Sequence, residues 1–325
     1  TLRRLRLTSK HLEFLVTPVL LNKLVICTAG LKATPFRRCE EIEATVATGR
    51  GFVFRGVKTL SLKLLLPPDD PLPWFTMLNA LVPQLNRLQT LWWLHELNSG
   101  GYPPQELEKL TQSFARLPNL LSLDLKLPKG LKNPCMEFPV QPMGHPNLHL
   151  LRVEWTSEQW PTPDTLSQFS SILTGSQNLE YFSFTLARGK DIGLAMFREM
   201  FRGVSEISAP LQIKSLSLTL LNTARIELHR YIPSLRHLEK LEISYYPCPL
   251  FHNQTALGEV CQALADEQIF LKHIALDAFI DPAVFNYLAA FHGMDHIFLQ
   301  PPKRPQAGSE VSFLPQLMDQ FFSSV

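Results

Sequence analysis

A short pattern of apolar residues recurs along this chain: one apolar residue, two variable positions, a second apolar residue, one variable position and a third. The first full copy is Val57, Leu60 and Leu62, and successive copies begin 23 to 34 residues apart. The later copies are Leu88/Leu91/Trp93, Leu120/Leu123/Leu125, Leu148/Leu151/Val153, Leu179/Phe182/Phe184, Ile213/Leu216/Leu218, Leu238/Leu241/Ile243, Leu271/Ile274/Leu276 and Met294/Ile297/Leu299, and a weaker one, Leu21/Leu24/Ile26, precedes them all. A period in this range indicates stacked structural repeats.

The second and third apolar residues of each copy are two positions apart, as on one face of a β-strand. Their immediate neighbours belong to the other face, and only six of these 27 outward positions are apolar, where the chain average of 45% would give about 12. This depletion predicts strands with a buried inner face and a polar outer face. The outward positions are Thr59, Ser61, Lys63, Thr90, Trp92, Leu94, Ser122, Asp124, Lys126, Leu150, Arg152, Glu154, Tyr181, Ser183, Thr185, Ser215, Ser217, Thr219, Lys240, Glu242, Ser244, His273, Ala275, Asp277, His296, Phe298 and Gln300.

Segments with apolar residues three and four positions apart lie between the predicted strands, and this spacing indicates helices. The segment 128–146 is different, because it holds four prolines and has no helical period, so a loop is predicted there. The predicted helical segments are 36–48, 73–85, 104–117, 164–173, 191–204, 223–235, 255–267 and 282–291.

Strand, turn, helix and turn together make one repeating unit, and each unit buries its inner face only when a neighbour stacks on it. We therefore predict an α/β fold: a leucine-rich-repeat solenoid of about ten repeats, shaped as a curved horseshoe. Its parallel sheet should line the concave face and its helices the convex face. Residues 31–312 should form the solenoid, and residues 313–325 should form a helix that caps the last repeat.

Composition supports a folded chain of this kind. Leucine accounts for 57 of the 325 residues, as a repeated leucine frame requires, and the formal net charge is only +2. That charge provides no field for gathering nucleic acid or anionic lipid. The five cysteines form no Cys-x-x-Cys pair, which favours a reducing compartment. No stretch approaches the roughly 20 apolar residues of a membrane span, so we expect a cytoplasmic or nuclear protein.

The beginning of the chain, Thr1-Leu-Arg-Arg-Leu-Arg-Leu-Thr-Ser-Lys10 followed by Phe14, Leu15, Pro18, Leu20, Leu21 and Leu24-Val-Ile26, resembles the second half of an F-box that runs into a first strand. With its irregular, ribonuclease-inhibitor-like leucine units, the sequence resembles the F-box and leucine-rich-repeat proteins of filamentous fungi. In that family the F-box docks on the Skp adaptor of a cullin-RING (SCF-type) ubiquitin ligase, and the repeats select the substrate. The resemblance implies that residues 1–30 are the remnant of an F-box, truncated at its N-terminus, and a first strand.

Two family features are missing from the sequence. The opening Leu-Pro and Glu-Ile-containing helix of an F-box are absent, so a Skp-type adaptor is expected as a partner only where the full F-box is present. The asparagine or cysteine expected eight residues after the first apolar residue of each unit is also absent, so no hydrogen-bonded asparagine ladder is expected. These positions hold Leu65, Glu96, Pro128, Thr156, Ala187, Leu221, Tyr246, Phe279 and Pro302.

Catalytic chemistry finds no motif in this chain. There is no phosphate-binding glycine loop, no dinucleotide fingerprint and no nucleophile elbow. His292, Asp295 and His296 lie close together, but no further metal ligand is identifiable by spacing. We therefore predict a protein that is not an enzyme and that needs no cofactor and no metal.

The predicted concave face offers a better candidate for function, because it combines aromatic side chains with charges of both signs. Such a face suits a protein or peptide of mixed charge and does not suit nucleic acid or a membrane. We therefore predict the substrate-binding subunit of a ubiquitin ligase; the alternatives are an enzyme or small-ligand-binding protein built on a repeat scaffold, and scaffolding without a ligase. The predicted partner-binding residues are Trp92, Asp124, Lys126, Arg152, Glu154, Trp155, Tyr181, Lys240, Glu242, Tyr245, Asp277 and Phe298.

Overall fold

Ten β-strands alternate with helical segments in the part of the chain that the computed structural model describes. The described residues are 22–27, 35–48, 54–65, 72–96, 104–127, 146–155, 163–186, 194–206, 209–220, 227–245, 255–277, 282–291 and 293–300. The F-box-like segment before residue 22, almost all of the loop predicted for 128–146 and the predicted capping helix at 313–325 lie outside these residues. The strands are β1 Lys23–Cys27, β2 Thr59–Leu65, β3 Thr90–Glu96, β4 Ser122–Leu127, β5 Leu150–Trp155, β6 Tyr181–Leu186, β7 Ser215–Leu220, β8 Lys240–Tyr245, β9 His273–Asp277 and β10 His296–Gln300.

The helical segments lie where the apolar spacing predicts them, with one difference in type. Within 223–235 the described helix is the 3-10 segment Leu228–Ser234, where an α-helix would have needed a backbone N–H that Pro233 lacks. Shorter 3-10 segments, Val82–Gln84 and Arg202–Glu206, directly follow two of the α-helices. The α-helices of the described residues are α1 Pro35–Ala47, α2 Leu72–Leu81, α3 Pro104–Ala115, α4 Pro163–Gly175, α5 Leu194–Phe201, α6 Thr255–Asp266 and α7 Pro282–Ala289.

The ten strands form one sheet in sequence order, β1 to β10. Its strands are parallel, so the predicted α/β class with a parallel sheet is confirmed. The chain divides into two compact units, Thr1–Gln168 and Phe169–Val325, with the boundary inside α4. The first unit contains β1 to β5 and the second contains β6 to β10. No helix of the described residues is long and apolar enough to cross a membrane.

The alternation predicted for the strands is confirmed in both units. In β2, the side chains of Leu60 and Leu62 are fully buried, whereas Thr59 and Lys63 are partly exposed. In the second unit, Leu216 and Leu218 of β7 are likewise fully buried. The apolar pattern that defines the repeats is therefore the inner face of the sheet, and the helices pack against it.

Backbone hydrogen bonds at the strand starts hold neighbouring repeats in register. In the first unit, the carbonyl oxygen of Lys58 accepts hydrogen bonds from the amides of Gln89 and Thr90, at 2.8 and 2.9 Å. The same arrangement recurs from the Gln89 carbonyl to Leu121 and Ser122. In the second unit the accepting carbonyls are those of Glu180, Lys214, Glu239 and Lys272. One carbonyl thus serves two successive amides of the next repeat, which leaves none of these buried groups unsatisfied.

Asparagine side chains also connect repeats, at a position that the sequence pattern did not single out. Asn119 donates its side-chain amide to the carbonyl of Asn86 at 2.7 Å, and Asn147 donates to the carbonyl of Pro118 at 2.8 Å. Each of these asparagines directly precedes the first apolar residue of its repeat. The expectation of no asparagine ladder was therefore wrong for the first unit, because the amides act from the turn before the strand.

The connection from α6 to β9 ends the helix with a residue in the left-handed conformation. Gln268 has a φ of 54°, and the amides of Gln268 and Ile269 donate to the carbonyls of Ala265 and Leu264. These two bonds make a Schellman motif, which satisfies the last carbonyls of the helix. Because Ile269 and Leu264 are both buried, the turn also fixes where β9 begins.

Candidate functional site

The outward side chains of β1 to β5 form a patterned surface on the first unit, called here the first face. The parallel register places them in rows that run across the strands. The middle row is Val25, Ser61, Trp92, Asp124 and Arg152, and the row nearest the carboxyl ends of the strands is Cys27, Lys63, Leu94, Lys126 and Glu154. Four of the predicted partner-binding residues, Asp124, Lys126, Arg152 and Glu154, are therefore neighbours on β4 and β5.

These four residues form two ion pairs between adjacent strands. Arg152 Nη1 lies 3.4 Å from Asp124 Oδ2, and Lys126 Nζ lies 2.6 Å from Glu154 Oε1. All four side chains remain partly accessible to solvent, so the pairs stabilise the fold only weakly. They instead present alternating charge in a defined arrangement, which favours a partner with complementary charges.

Trp92 lies in the middle row next to Asp124, with its ring partly exposed. The ammonium group of Lys63 lies 5.3 Å from the centre of this ring, which is within the range of a cation–π contact. A large aromatic ring held in place by a neighbouring cation has little conformational entropy to lose on binding. It is therefore a suitable anchor for a partner protein.

Asp124 is the least exposed carboxylate of the first face. Burial raises the pKa of Asp124 and the negative charge of Glu154 adds to this, whereas the positive charges of Arg152 and Lys126 oppose it. The net direction is upward from the ordinary value of an aspartate. Arg152 is the closest cation to this half-buried carboxylate, so the two side chains form one functional pair and should be altered together in experiments.

The outward side chains of β6 to β10 form the corresponding surface on the second unit, called here the second face. The row nearest the strand starts is Tyr181, Ser215, Lys240, His273 and His296. The middle row is Ser183, Ser217, Glu242, Ala275 and Phe298, and the third row is Thr185, Thr219, Ser244, Asp277 and Gln300. Small hydroxyl side chains cover the β6 and β7 side of this face, and charged and aromatic residues cover the β8 to β10 side.

Glu242 is the centre of the charged part of the second face. Its Oε1 atom lies 2.7 Å from Lys240 Nζ and 3.6 Å from His273 Nε2. Burial raises the pKa of Glu242, but hydrogen bonds from Lys240 and Ser217 and the nearby positive charge lower it further, so the net pKa lies below the ordinary value. The carboxylate is therefore ionised at neutral pH and fixes the position of Lys240.

Three predicted partner-binding residues stand apart from these rows. Trp155 is the last residue of β5, pairs with Leu127 and follows the alternation of the buried Leu151 and Val153, so it is separate from the first face. Tyr245 pairs with Leu220 at the end of β8, and its side chain lies outside the described residues. Asp277 occupies the third row by register, and its side chain is also not described.

Sequence reasoning did not connect two features of the second unit. The rings of His273 and His296 lie 5.5 Å apart on adjacent strands, although their positions are 23 residues apart in the chain. Charges also alternate at the position before each strand, so that Lys214 pairs with Glu180 at 2.9 Å and Lys272 pairs with Glu239 at 3.0 Å. Aligning the repeats by their first apolar residue would have revealed both.

Among the described residues, no group of three or more histidine, cysteine, aspartate or glutamate side chains is arranged to hold a metal ion. His292, one of the residues considered for metal binding from the sequence, lies outside the described residues. Cys27 and Cys261 carry free thiols. No protein-family model matches this chain, and no curated protein matches it either.

Proposed function

We propose that this chain is a non-catalytic recognition module that binds a protein or peptide on the outward strand faces of its sheet. The observation that supports this most is the ordering of the first face, where Trp92, two ion pairs and Lys63 lie in register on four adjacent strands. The side chains that tend to dominate interface energies are aromatic residues and arginine, and both are present here in partly exposed positions.

The repeat type in this proposal is the leucine-rich repeat, and the curved horseshoe is its expected shape. The recurring apolar frame, the parallel strands in sequence order and the helices between them support it. Stacked repeats of this kind present an extended surface in which each strand contributes a few side chains. A mixed-charge protein substrate is the partner class that fits such a surface.

The role that we propose for this module is that of the substrate-binding subunit of a cullin-RING ubiquitin ligase. The F-box-like sequence of residues 1–30 is the support for this part of the proposal. The test is affinity purification of the tagged full-length protein from its own cells. A Skp-type adaptor and a cullin should copurify with it, and a partner held by the repeats should accumulate when the cullin is inactivated. Recovery of a partner without adaptor or cullin would leave recognition intact and reject the ligase role.

Changing Trp92, Arg152 and Tyr181 together to alanine should weaken binding of the copurifying partner by at least about tenfold, or about 1.4 kcal/mol. The reason is that the substitutions remove two aromatic surfaces and one cation from the outward positions while leaving the buried inner face unchanged. Titration of the purified partner by calorimetry measures the loss, and the melting temperature should change little.

A matched control lies on the helices of the first unit. Gln105 and Arg116 are exposed at the beginning of α3 and just after its end, and neither contributes to the outward face. Glu106 is unsuitable as a control because it accepts a hydrogen bond from Asn79 of α2 at 2.8 Å. The variant with Gln105 and Arg116 changed to alanine should bind as the wild type does. An equal loss of affinity in both variants would place the partner elsewhere.

A further inference from the structure

A depression lies between two larger side chains in the middle row of the second face. Ala275 of β9 pairs with Glu242 on one side and with Phe298 on the other. Ala275 is partly exposed, and 55% of the Phe298 surface is accessible to solvent. Adjacent strands lie about 4.8 Å apart, so the walls of this depression are about 10 Å apart. This space accepts one apolar side chain, which can pack on Ala275 and against the exposed ring of Phe298.

The neighbouring row offers hydrogen-bond donors with the capacity for positive charge. Lys240, His273 and His296 occupy successive strands in this row, and the two histidine rings lie 5.5 Å apart. Both histidines are at least partly accessible to solvent. A carboxylate that reaches this row meets one ammonium and two imidazoles, so the row is complementary to an acidic side chain.

The distance between the two rows corresponds to a simple peptide spacing. His273 and Ala275 are two residues apart on β9, so the rows are separated by two residues of extended chain, about 6.6 Å. An extended segment that runs along β9 repeats its side chains at the same interval. We propose that the second face binds an extended segment that carries an acidic residue and, two positions away, an aliphatic or aromatic residue. This inference rests on the recognition function proposed above and specifies the class of its partner.

The position of Glu242 gives this site an orientation. Glu242 forms one wall of the depression, where its charge repels a second carboxylate. The acidic residue of the partner therefore belongs on the histidine row, and the apolar residue belongs between Glu242 and Phe298. A peptide with two adjacent acidic residues, or with the acidic residue directly next to the apolar one, does not fit both positions at once.

Binding in this orientation should depend on pH. The groups that face His273 are Lys240 and Glu242 on β8 and His296 on β10, and Asp277 follows on its own strand. Burial, Lys240 and His296 lower the pKa of His273 while Glu242 opposes them, so its imidazole is largely neutral at neutral pH. A bound carboxylate stabilises the imidazolium, so binding takes up a proton and becomes tighter as the pH falls through the histidine range.

The test is a fluorescence-anisotropy titration of the full chain with the fluorescein-labelled peptide Gly-Ser-Glu-Ser-Leu-Ser-Gly. At about pH 6 this peptide should bind at least about tenfold more tightly than peptides with Gln or Lys in place of Glu, and more tightly than Gly-Ser-Ser-Glu-Leu-Ser-Gly. Its affinity should fall at least about threefold at about pH 7.5. Glutamate in the probe stays ionised across this range, so the change reports on the protein.

The variants separate the two halves of the site. His273→Gln combined with His296→Gln should abolish both the preference for Glu and the pH dependence, while Ala275→Leu should fill the depression and remove the contribution of the leucine. His149→Gln, an exposed histidine just before β5 in the first unit, is the matched control and should change neither. Melting curves verify that each variant is folded.

Two results would overturn the inference. Equal or tighter binding of the Lys peptide would show that the second face selects cations, and no binding of the Glu peptide up to about 1 mM would show that it takes no such segment. Either result leaves the general recognition function standing if the partner still depends on Trp92 and Arg152. Loss of that dependence as well would reject the recognition function itself.

Discussion

Replacing Leu216 with alanine should lower the free energy of unfolding by about 2 to 5 kcal/mol. Leu216 is fully buried in β7, where it pairs with the buried residues Phe182 and Leu241 of the adjacent strands. Its removal leaves a cavity between repeats that the rigid parallel register cannot close. Urea denaturation measures the loss, with an unchanged slope that shows that the unfolded state is the same.

The control is Thr219→Ala, on the opposite side of the same strand. Thr219 is an outward residue of the second face and is partly exposed, so its truncation should cost less than about 0.5 kcal/mol. The ratio of the two losses tests the inward and outward assignment of the apolar frame. A comparable loss in both variants would mean that β7 is buried on both faces and that no recognition surface exists at this strand.

Replacing Tyr287 with phenylalanine should cost about 1 to 3 kcal/mol at neutral pH, although only one oxygen atom is removed. The buried hydroxyl group donates a hydrogen bond to the carbonyl of Ile269 at 2.8 Å and accepts one from the amide of Leu271 at 3.1 Å. Both backbone groups belong to the turn between α6 and β9. Without the hydroxyl, they remain buried and unsatisfied, and the turn that positions β9 loses its connection to α7.

The same hydroxyl predicts a distinctive alkaline dependence. Burial raises the pKa of Tyr287 to about 12, a hydrogen bond from Leu271 opposes this, and Cys261 adds to it. In the unfolded chain a tyrosine ionises near pH 10, so the unfolded state gains stability by losing a proton between about pH 10 and 12 while the folded state does not. The stability contributed by Tyr287 is therefore complete below about pH 10 and is lost as the pH rises through about 12.

The pH comparison distinguishes this explanation from a simple packing defect. The difference in unfolding free energy between wild type and Tyr287→Phe should shrink by up to about 3 kcal/mol across the alkaline range, because the variant has no proton to lose at this position. A difference that stays constant with pH would show that the hydroxyl titrates freely and that the hydrogen bonds described for it are absent.

Much of the fold could be predicted because the apolar frame determines it locally. Residues such as Leu60 and Leu62 lie two apart and predict a strand with one buried face, and this alternation is independent of what lies in the next repeat. Helix type was harder to predict, since the apolar spacing of 223–235 fits an α-helix equally well. Pro233 decides in favour of the 3-10 form through one missing N–H, a detail that periodicity does not contain.

The candidate site was predictable as a surface and less so as a set of contacts. The outward positions of Asp124 and Arg152 follow from the alternation, but their ion pair depends on a register between strands whose starts are 28 residues apart. Because repeat lengths vary, the sequence alone does not show which outward residues become neighbours. The pair His273 and His296 was missed for this reason. Trp155 shows the converse error, because an aromatic residue at a strand end need not belong to the outward face.

Site-specific photo-crosslinking tests the central claim, which is that the outward strand faces bind a protein partner. The photoreactive amino acid p-benzoylphenylalanine would replace Trp92 or Lys126 on the first face, or Gln105 or Arg116 on its helices, one position at a time in the full-length protein. We expect the same partner to be captured from Trp92 and Lys126, with little capture from Gln105 and Arg116, and we expect an excess of unlabelled wild-type chain to suppress the adduct. Capture of that partner from the helix positions alone, or equally from all four positions, would contradict the account.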